Sequence, residues 1–538
     1  MQGVEQVIER LDAFARERIA ADGIAGLAMA LTDRDTTLYA GGWGFADVSA
    51  RTPVTPDHVF EFGSIGKSFT ALVWMQLREE GRVDLHAPFT EYLPWFAVQS
   101  EYGPITPHHL LSHTAGIING TDFTPDQRYE IWALRETETG SPPGTYFAYS
   151  NLGYKALGLA LEYMLDKPYA AIIYERILAP LGMMKTDPAI THNTRTVMAL
   201  GYQWWYDDRP GHPRYPLAPA TWLETDTGDG CIASTPGDLA TFLRMFLNGG
   251  SWPEGRLISP ESFALMTRPV IAIPERDGDA AYGYGLTTFT EDDLPHIGHG
   301  GGMVGYYASL VGDMVSGLGA VAMINSPGSA AQFTQYALRL LRAAQRGEPL
   351  PDPEVADPLH VPNAGEYAGV YRSPDGAMSF VAEGERLYLE YAGSRVVLDN
   401  RANDTFFVRH PDFATFLLRF GRLDDTVVEV FHGPAWFVNE RYVGPTRFDV
   451  PAAWAAYPGH YRSHNPWMTN FRVVLRKGQL ALLHSSGEEE PLTPLADATF
   501  RIGADPRSAE RLRFDTVVEG RALRAQFSGA DYYRFFTP

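Results

Sequence analysis

The chain has 538 residues, too many for a single hydrophobic core, and its 45% hydrophobic and 20% charged content is that of an ordinary globular protein of two to four domains. A formal net charge of −21 excludes nucleic acid and anionic membrane surfaces as partners. There is no run of 18 apolar residues to span a bilayer, and one cysteine, Cys231, excludes an intramolecular disulfide and a cysteine-based zinc site.

The first segment, "MQGVEQVIERLDAFARERIA", has apolar residues at Val4, Ile8, Leu11 and Phe14 with charges between them, which predicts an amphipathic helix. It lacks a basic stretch followed by an apolar one, so no signal peptide is read and a cytoplasmic location is expected of the sequence as it stands. Two short apolar runs, "GLAMALTD" from Gly26 and "TTLYAGGWGFAD" from Thr36, predict an antiparallel strand pair.

Next comes "EFGSIGKSFTAL", residues 61 to 72, with Ser64 three positions before Lys67. The chain has 44 basic residues but only five lysines, at 67, 155, 167, 185 and 477. Arginine stays protonated, whereas a desolvated amine can act as a base, so position 67 points to a need for proton transfer. If a helix starts near Ser64, residues i and i+3 share a face and the amine reaches the hydroxyl. A serine hydroxyl becomes a nucleophile once a neighbouring base removes its proton.

From Ser64 to about residue 285 the pattern is mostly helical. Within it, "HHLLSHTAG" gathers His108, His109 and His113 without an acidic ligand at matching spacing, so no metal is expected. "PPGTYFAYSN" brings Tyr149 and Asn151 behind a Pro-Gly turn. Tyr149 reads as a general base or proton shuttle and Asn151 as a donor and acceptor for a substrate amide. The alternative is a buried tyrosine followed by a capping asparagine. Cys231 reads as a small buried hydrophobe.

In "HIGHGGGMVGYYASL", His299 stands before Gly300, Gly301 and Gly302 at the opening of a predicted strand. Glycines there let substrate lie against the strand edge, with a backbone N–H aimed at a developing oxyanion. The alternative is a glycine-rich turn carrying a surface histidine. "GYYASLVGD" and "SGLGAVAMINS" predict two more strands, and "SAAQFTQYALRLLRAAQR" a closing helix. Strands at both ends of a helical middle imply an antiparallel sheet closed by the chain's return and flanked by helices, in a domain over residues 1–346.

Residues 347–364, with five prolines and several acids, predict a stiff linker. Beyond it the chain repeats: "EYAGVYRS" at 366–373 matches "AYPGHYRS" at 456–463, and three further segments follow in the same order. Two copies of a small all-β domain are expected, over 365–449 and 450–538, each a closed or nearly closed barrel, with a sheet sandwich as the alternative.

Six segments in order, "SIGKSFTAL", "LLSHTAGI", "PPGTYFAYSN", "GDGCIASTPGDLATFL", "YGYGL" and "GHGGGMVGY", resemble the serine β-lactamase and penicillin-binding protein superfamily in its class C-like branch, over roughly residues 5 to 345. The resemblance implies an α/β fold with a largely helical subdomain, Ser64 as acylated nucleophile, Lys67 as its activating amine, Tyr149 as proton shuttle and Asn151 on the acyl side chain. It implies an oxyanion hole at the N–H groups of Ser64 and Gly302, with Gly301 beside it, and no cofactor. His299 occupies the place of the lysine in a Lys-Thr-Gly triplet. A histidine with ordinary pKa near 6.5 is mostly neutral at pH 7, so weak or no β-lactamase action is expected.

A catalytic domain followed by two barrels is similar to D-aminopeptidase-like members, in which a barrel loop limits substrate size. The candidate loops are 463–470 and 503–510, the second offering Asp505 to a substrate ammonium. The leading expectation is a serine hydrolase of small peptides or amides. The alternatives are a carboxylesterase with the same residues and a non-catalytic peptide-binding or sensor protein. The expected partner is a small peptide, amide or ester substrate, and a homodimer is one option for assembly.

Overall fold

The computed structural model describes residues 3–120, 126–274, 276, 278–496 and 498–537. The chain folds as two compact units, the first comprising Met1–Trp205, Pro213–Pro353 and Arg507–Ala509, the second Tyr206–His212, Glu354–Pro506 and Glu510–Pro538.

Among the described residues the first unit holds a nine-stranded sheet of β1 (Gly26–Thr32), β2 (Thr37–Asp47), β3 (Thr52–Pro53), β4 (Ile271–Ala272), β5 (Ala281–Tyr282), β6 (Thr287–Glu291), β7 (Leu294–Met303), β8 (Tyr306–Asp313) and β9 (Leu318–Ile324). The strand order is β4-β5-β6-β7-β8-β9-β1-β2-β3, and every neighbouring pair is antiparallel. The sheet is closed by β9 returning to β1, with Leu27 opposite Ile324 and Thr32 opposite Gly319.

Both faces of the central strands are covered, which is why β1 reads as an unbroken apolar run. On one face Leu27, Met29 and Leu31 meet Val7, Leu11 and Phe14 of an N-terminal helix, α1 (Val4–Asp22), together with Phe333, Tyr336 and Leu341 of the closing helix (Ala331–Arg346). On the other face Ala28 joins the main core, built around α2 (Gly66–Glu79), α3 (Asn151–Leu165) and α4 (Pro236–Leu247). Helix α2 is buried from Gly66 to Met75, as a helix apolar nearly all round must be. It stacks on α4 through Phe69 and Phe242, with ring centroids 3.8 Å apart.

Strand β7 starts at Leu294, five residues before the predicted opening, so His299 lies in mid-strand opposite Leu310. The preceding hairpin turns on Asp292 and Asp293, both with positive φ (53° and 59°). A turn of two left-handed residues suits the twist of a hairpin. Asp-Asp marks such a turn less plainly than Asn-Gly, so the start of β7 was hidden in the sequence.

The second unit holds two closed eight-stranded barrels, running from Gly369–Ser373 to Ala435–Val438 and from Gly459–Arg462 to Ala530–Arg534. Arg372 pairs with Val438 to close the first, and Tyr461 with Arg534 to close the second, which removes the free edges a sandwich would leave. The sequence repeat is the barrel repeat. The buried Tyr371 hydroxyl donates to the Tyr367 carbonyl at 3.0 Å, and the buried Tyr461 hydroxyl to the Tyr457 carbonyl at 2.7 Å. Their rings pack on Phe420 and Phe514 respectively.

No described helix is long and apolar enough to cross a membrane. Tyr461→Phe keeps the ring but orphans a buried carbonyl, and should destabilise the second barrel by about 1–2 kcal/mol in urea unfolding. An unchanged midpoint would show that the hydroxyl does not tie the repeat together.

Candidate active site

The segment leading to Ser64 is a two-residue strand, Phe60–Glu61, paired with Ala233–Ser234, then one 3-10 turn, Gly63–Ile65, that runs into α2. Ser64 sits in that turn, half-buried, and Lys67 is the second residue of α2. Two glycines let β7 lie against this backbone. A Cβ on Gly301 would fall 1.7 Å from the Phe62 carbonyl oxygen. Gly63, with φ 55°, would place one 2.6 Å from the Gly302 nitrogen. Side chains are therefore excluded where the backbones of Gly301 and Gly302 pass the start of α2.

The Lys67 side chain is fully buried. Its Nζ lies 3.0 Å from Ser64 Oγ, 2.8 Å from Asn151 Oδ1 and 2.8 Å from the Asp229 carbonyl oxygen. The amide and backbone carbonyl oxygens can only accept, so they take two N–H groups. The third position on the nitrogen points at Ser64, where an N–H serves an ionised amine and a lone pair serves a neutral one. A base and a nucleophilic hydroxyl need this contact for proton transfer.

Asn151 is placed by the start of α3, where Ser150 caps the helix by accepting from the Gly153 N–H at 3.0 Å. Of the donor and the acceptor expected from the sequence, the acceptor Oδ1 already takes an N–H from Lys67 within the protein. Tyr149 is half-buried, with Lys67 Nζ 4.9 Å from its ring centroid. Among the described residues no group hydrogen-bonds its hydroxyl.

His299 is buried. Its Nδ1 donates to the Gly300 carbonyl and its Nε2 accepts from the Tyr282 hydroxyl at 2.8 Å, which fixes the tautomer. Burial, helped by the nearby Lys67 amine, pushes its pKa down to about 3, so the ring is neutral and both nitrogens are engaged within the protein.

Two residues of the site went without a role in the sequence reading. His113, buried with φ 57°, accepts the Ser150 N–H on Nδ1 at 3.0 Å. Its ring lies 4.2 Å from that of Tyr149 and 4.6 Å from that of Tyr282. Burial first, and then Lys67, hold it well below the usual histidine range. Both residues lie inside motifs that carried the resemblance, "LLSHTAGI" and "YGYGL", but no local spacing ties either to Ser64. The neighbouring histidines serve structure: His109 joins Thr106 in a capping box and His108 Nδ1 meets the Tyr284 hydroxyl at 2.6 Å. Cys231 is buried within 3.0 Å of the Thr225 hydroxyl, and burial raises its thiol to about 12. Asp505 lies in the second unit, between the strands Thr499–Ile502 and Arg511–Val518.

Residues 11–345 match the Beta-lactamase family. The chain is 30% identical over 390 residues to penicillin-binding protein 4 of Amycolatopsis lactamdurans, covering 69% of this chain and 97% of that one. A D-amino acid amidase from Ochrobactrum anthropi SV3, solved with L-phenylalanine, superposes with a TM-score of 0.52 at 26% identity, over 64% of this chain and 98% of its own. The octameric penicillin-binding protein homologue from Pyrococcus abyssi shares the fold over 89% of this chain and 98% of its own, with a TM-score of 0.59 and 23% identity.

The unfolded chain takes up a proton on a histidine near pH 6.5, whereas folded His299 does so only near pH 3. Its contribution to stability is therefore complete above pH 6.5 and is lost as pH falls toward 3. The side-chain nitrogen resonances of His299 should stay those of the neutral Nδ1–H form from pH 8 to 5. A titration centred near 6.5 would contradict this reading of the site.

Proposed function

Because the chain belongs to the Beta-lactamase family, we propose that it is a serine hydrolase that cleaves amides of small peptides or amino acids through an acyl-enzyme on Ser64. The observation that carries this reading is the Lys67 amine, with two of its contacts made to carbonyl oxygens and the third to Ser64 Oγ.

In the proposed cycle Lys67 takes the hydroxyl proton as Ser64 Oγ attacks the substrate carbonyl. The tetrahedral oxygen is met by the N–H groups of Ser64 and Gly302, and the start of α2 adds positive potential there. The Tyr149 hydroxyl passes a proton to the departing amine, and the acyl-enzyme forms as the C–N bond breaks. A water that gives its proton back through Tyr149 and Lys67 then attacks the ester, releasing the acid and regenerating Ser64.

His299 supports a substrate without a carboxylate beside the scissile bond. A neutral ring whose two nitrogens are engaged supplies neither the cation nor the free donor that such a group needs. Likeness to a D-amino acid amidase at 26% identity supports amides with a D-residue or a free N-terminus. A carboxylesterase would use the same groups, and substrate comparison separates the two.

A fluorophosphonate should label Ser64, and Ser64→Ala should lose both the label and on the order of 10³-fold or more in kcat/KM. Lys67→Arg keeps charge but not proton exchange and should fall by a comparable factor. An unlabelled Ser64 in a chain that binds peptides tightly would overturn the hydrolase reading. Among D-alanine p-nitroanilide, its L isomer, p-nitrophenyl acetate and nitrocefin, the D-anilide should have the highest kcat/KM relative to its uncatalysed rate. Preference for the acetate would favour the esterase, and fast nitrocefin turnover would refute the inference from His299.

A further inference from the structure

A cavity of about 360 Å³ lies in the first unit on residues that include none of Ser64, Lys67, Tyr149, Asn151 or His299. Its titratable and charged lining groups are Asp47, His58, Glu61, Arg195 and Tyr306, with Trp222 beside them. Three of these groups make contacts within the protein. Asp47 Oδ1 accepts from the Ser49 hydroxyl at 2.7 Å and the Ala50 N–H at 2.9 Å. His58 Nδ1 accepts from the Thr55 N–H at 3.0 Å. The Tyr306 hydroxyl donates to the Ala199 carbonyl at 2.7 Å.

The other two are uncommitted. Glu61 is 4% exposed, and among the described residues its carboxyl has no hydrogen-bond or ion-pair partner. A buried carboxyl without a donor is costly to ionise, and burial alone raises Glu61 to about 8. Arg195 is exposed, with its guanidinium 5.1 Å from the Trp222 ring centroid and no carboxylate partner among the described residues. Both charges act on the same Tyr306 phenol, Glu61 raising it and Arg195 lowering it. An unmet carboxyl and an unmet guanidinium thus share one small cavity, of a size usual for small ligands.

From this juxtaposition we infer that the cavity binds a small α-amino acid as its zwitterion, with the ammonium against Glu61 and the carboxylate against Arg195. The inference does not rest on the hydrolase reading, since no residue of the Ser64 site takes part. An ammonium against Glu61 stabilises its carboxylate, so at pH 7 binding expels the proton that burial keeps on that group.

Isothermal titration calorimetry of the full chain with D- and L-alanine and D- and L-leucine tests this. At least one should bind below about 20 mM, with Glu61→Gln and Arg195→Ala each weakening it about tenfold or more. Heats in buffers of different ionisation enthalpy should report proton release at pH 7, and none at pH 9, where Glu61 has already ionised. Ethylamine and propionate, each carrying one end of the ligand, should bind far more weakly. Absence of binding, binding unchanged in both variants, or ethylamine binding as tightly as the amino acid would each overturn the inference. Amino acid held at the Ser64 site would be insensitive to both variants, and Arg195→Ala changes an exposed side chain that folding does not require.

Discussion

The site depends on one buried nitrogen. Lys67 Nζ joins the start of α2, the start of α3 and the Asp229 carbonyl in a single set of contacts. A buried amine with an unmet N–H would be costly, so the three segments must keep their spacing for the fold as much as for chemistry. That spacing relies on backbone packed without side chains between. A Cβ on Gly230 would lie 2.5 Å from the Gly63 carbonyl carbon, and one on Gly66 would lie 2.8 Å from the Gly230 Cα. The glycines of "GSIGK" and "GDGC" are thus explained by close approach as much as by turns.

The other lysines make Lys67 stand out. Lys155 is buried against Glu130, and Lys477 lies 2.9 Å from both Glu429 oxygens with the rings of Phe431 and Trp436 nearby. Lys167 and Lys185 pair with Glu175 and Asp57. Each of these four lysines therefore has a carboxylate partner. Lys67 alone faces neutral oxygens. Scarcity of lysine in the sequence pointed to position 67 without separating it from Lys155 or Lys477, and the separation is a matter of partners that only folding assembles.

What could be read from the chain was what local geometry repeats. Ser64 and Lys67 are one helical turn apart, the strands of the sheet are apolar runs bounded by turns, and the barrels come twice, so that Tyr371 and Tyr461 occupy equivalent places. The pairing of β1 with β9 was legible because strands stood at both ends of a helical stretch. What escaped was made by contacts across long separations. His113 meets Tyr149, Tyr154 and Tyr282 from two distant segments, and a lone histidine in an apolar run carries no periodic sign of that. Glu61 was hidden by position, one acid between two phenylalanines in a lead-in that reads as apolar. Asn151 was identified as polar at a helix start, but which of its two ends would remain for a ligand depended on where Lys67 reached.

The two histidines around Ser64 set the electrostatics of the pocket by being uncharged. His113 and His299 are both held below the usual histidine range by burial first and by the neighbouring Lys67 second. Each also points one nitrogen at a fixed partner, the Ser150 N–H for His113 and the Tyr282 hydroxyl for His299. The His113 ring, 4.2 Å from that of Tyr149, is then a neutral wall beside it. In the proposed mechanism a substrate would meet one amine, one phenol and the backbone N–H groups of Ser64 and Gly302, so that charge developing on its carbonyl oxygen would be met by dipoles already in place. In that mechanism a substrate carboxylate would be disfavoured by the same arrangement, because the neutral His299 ring supplies no cation beside Lys67.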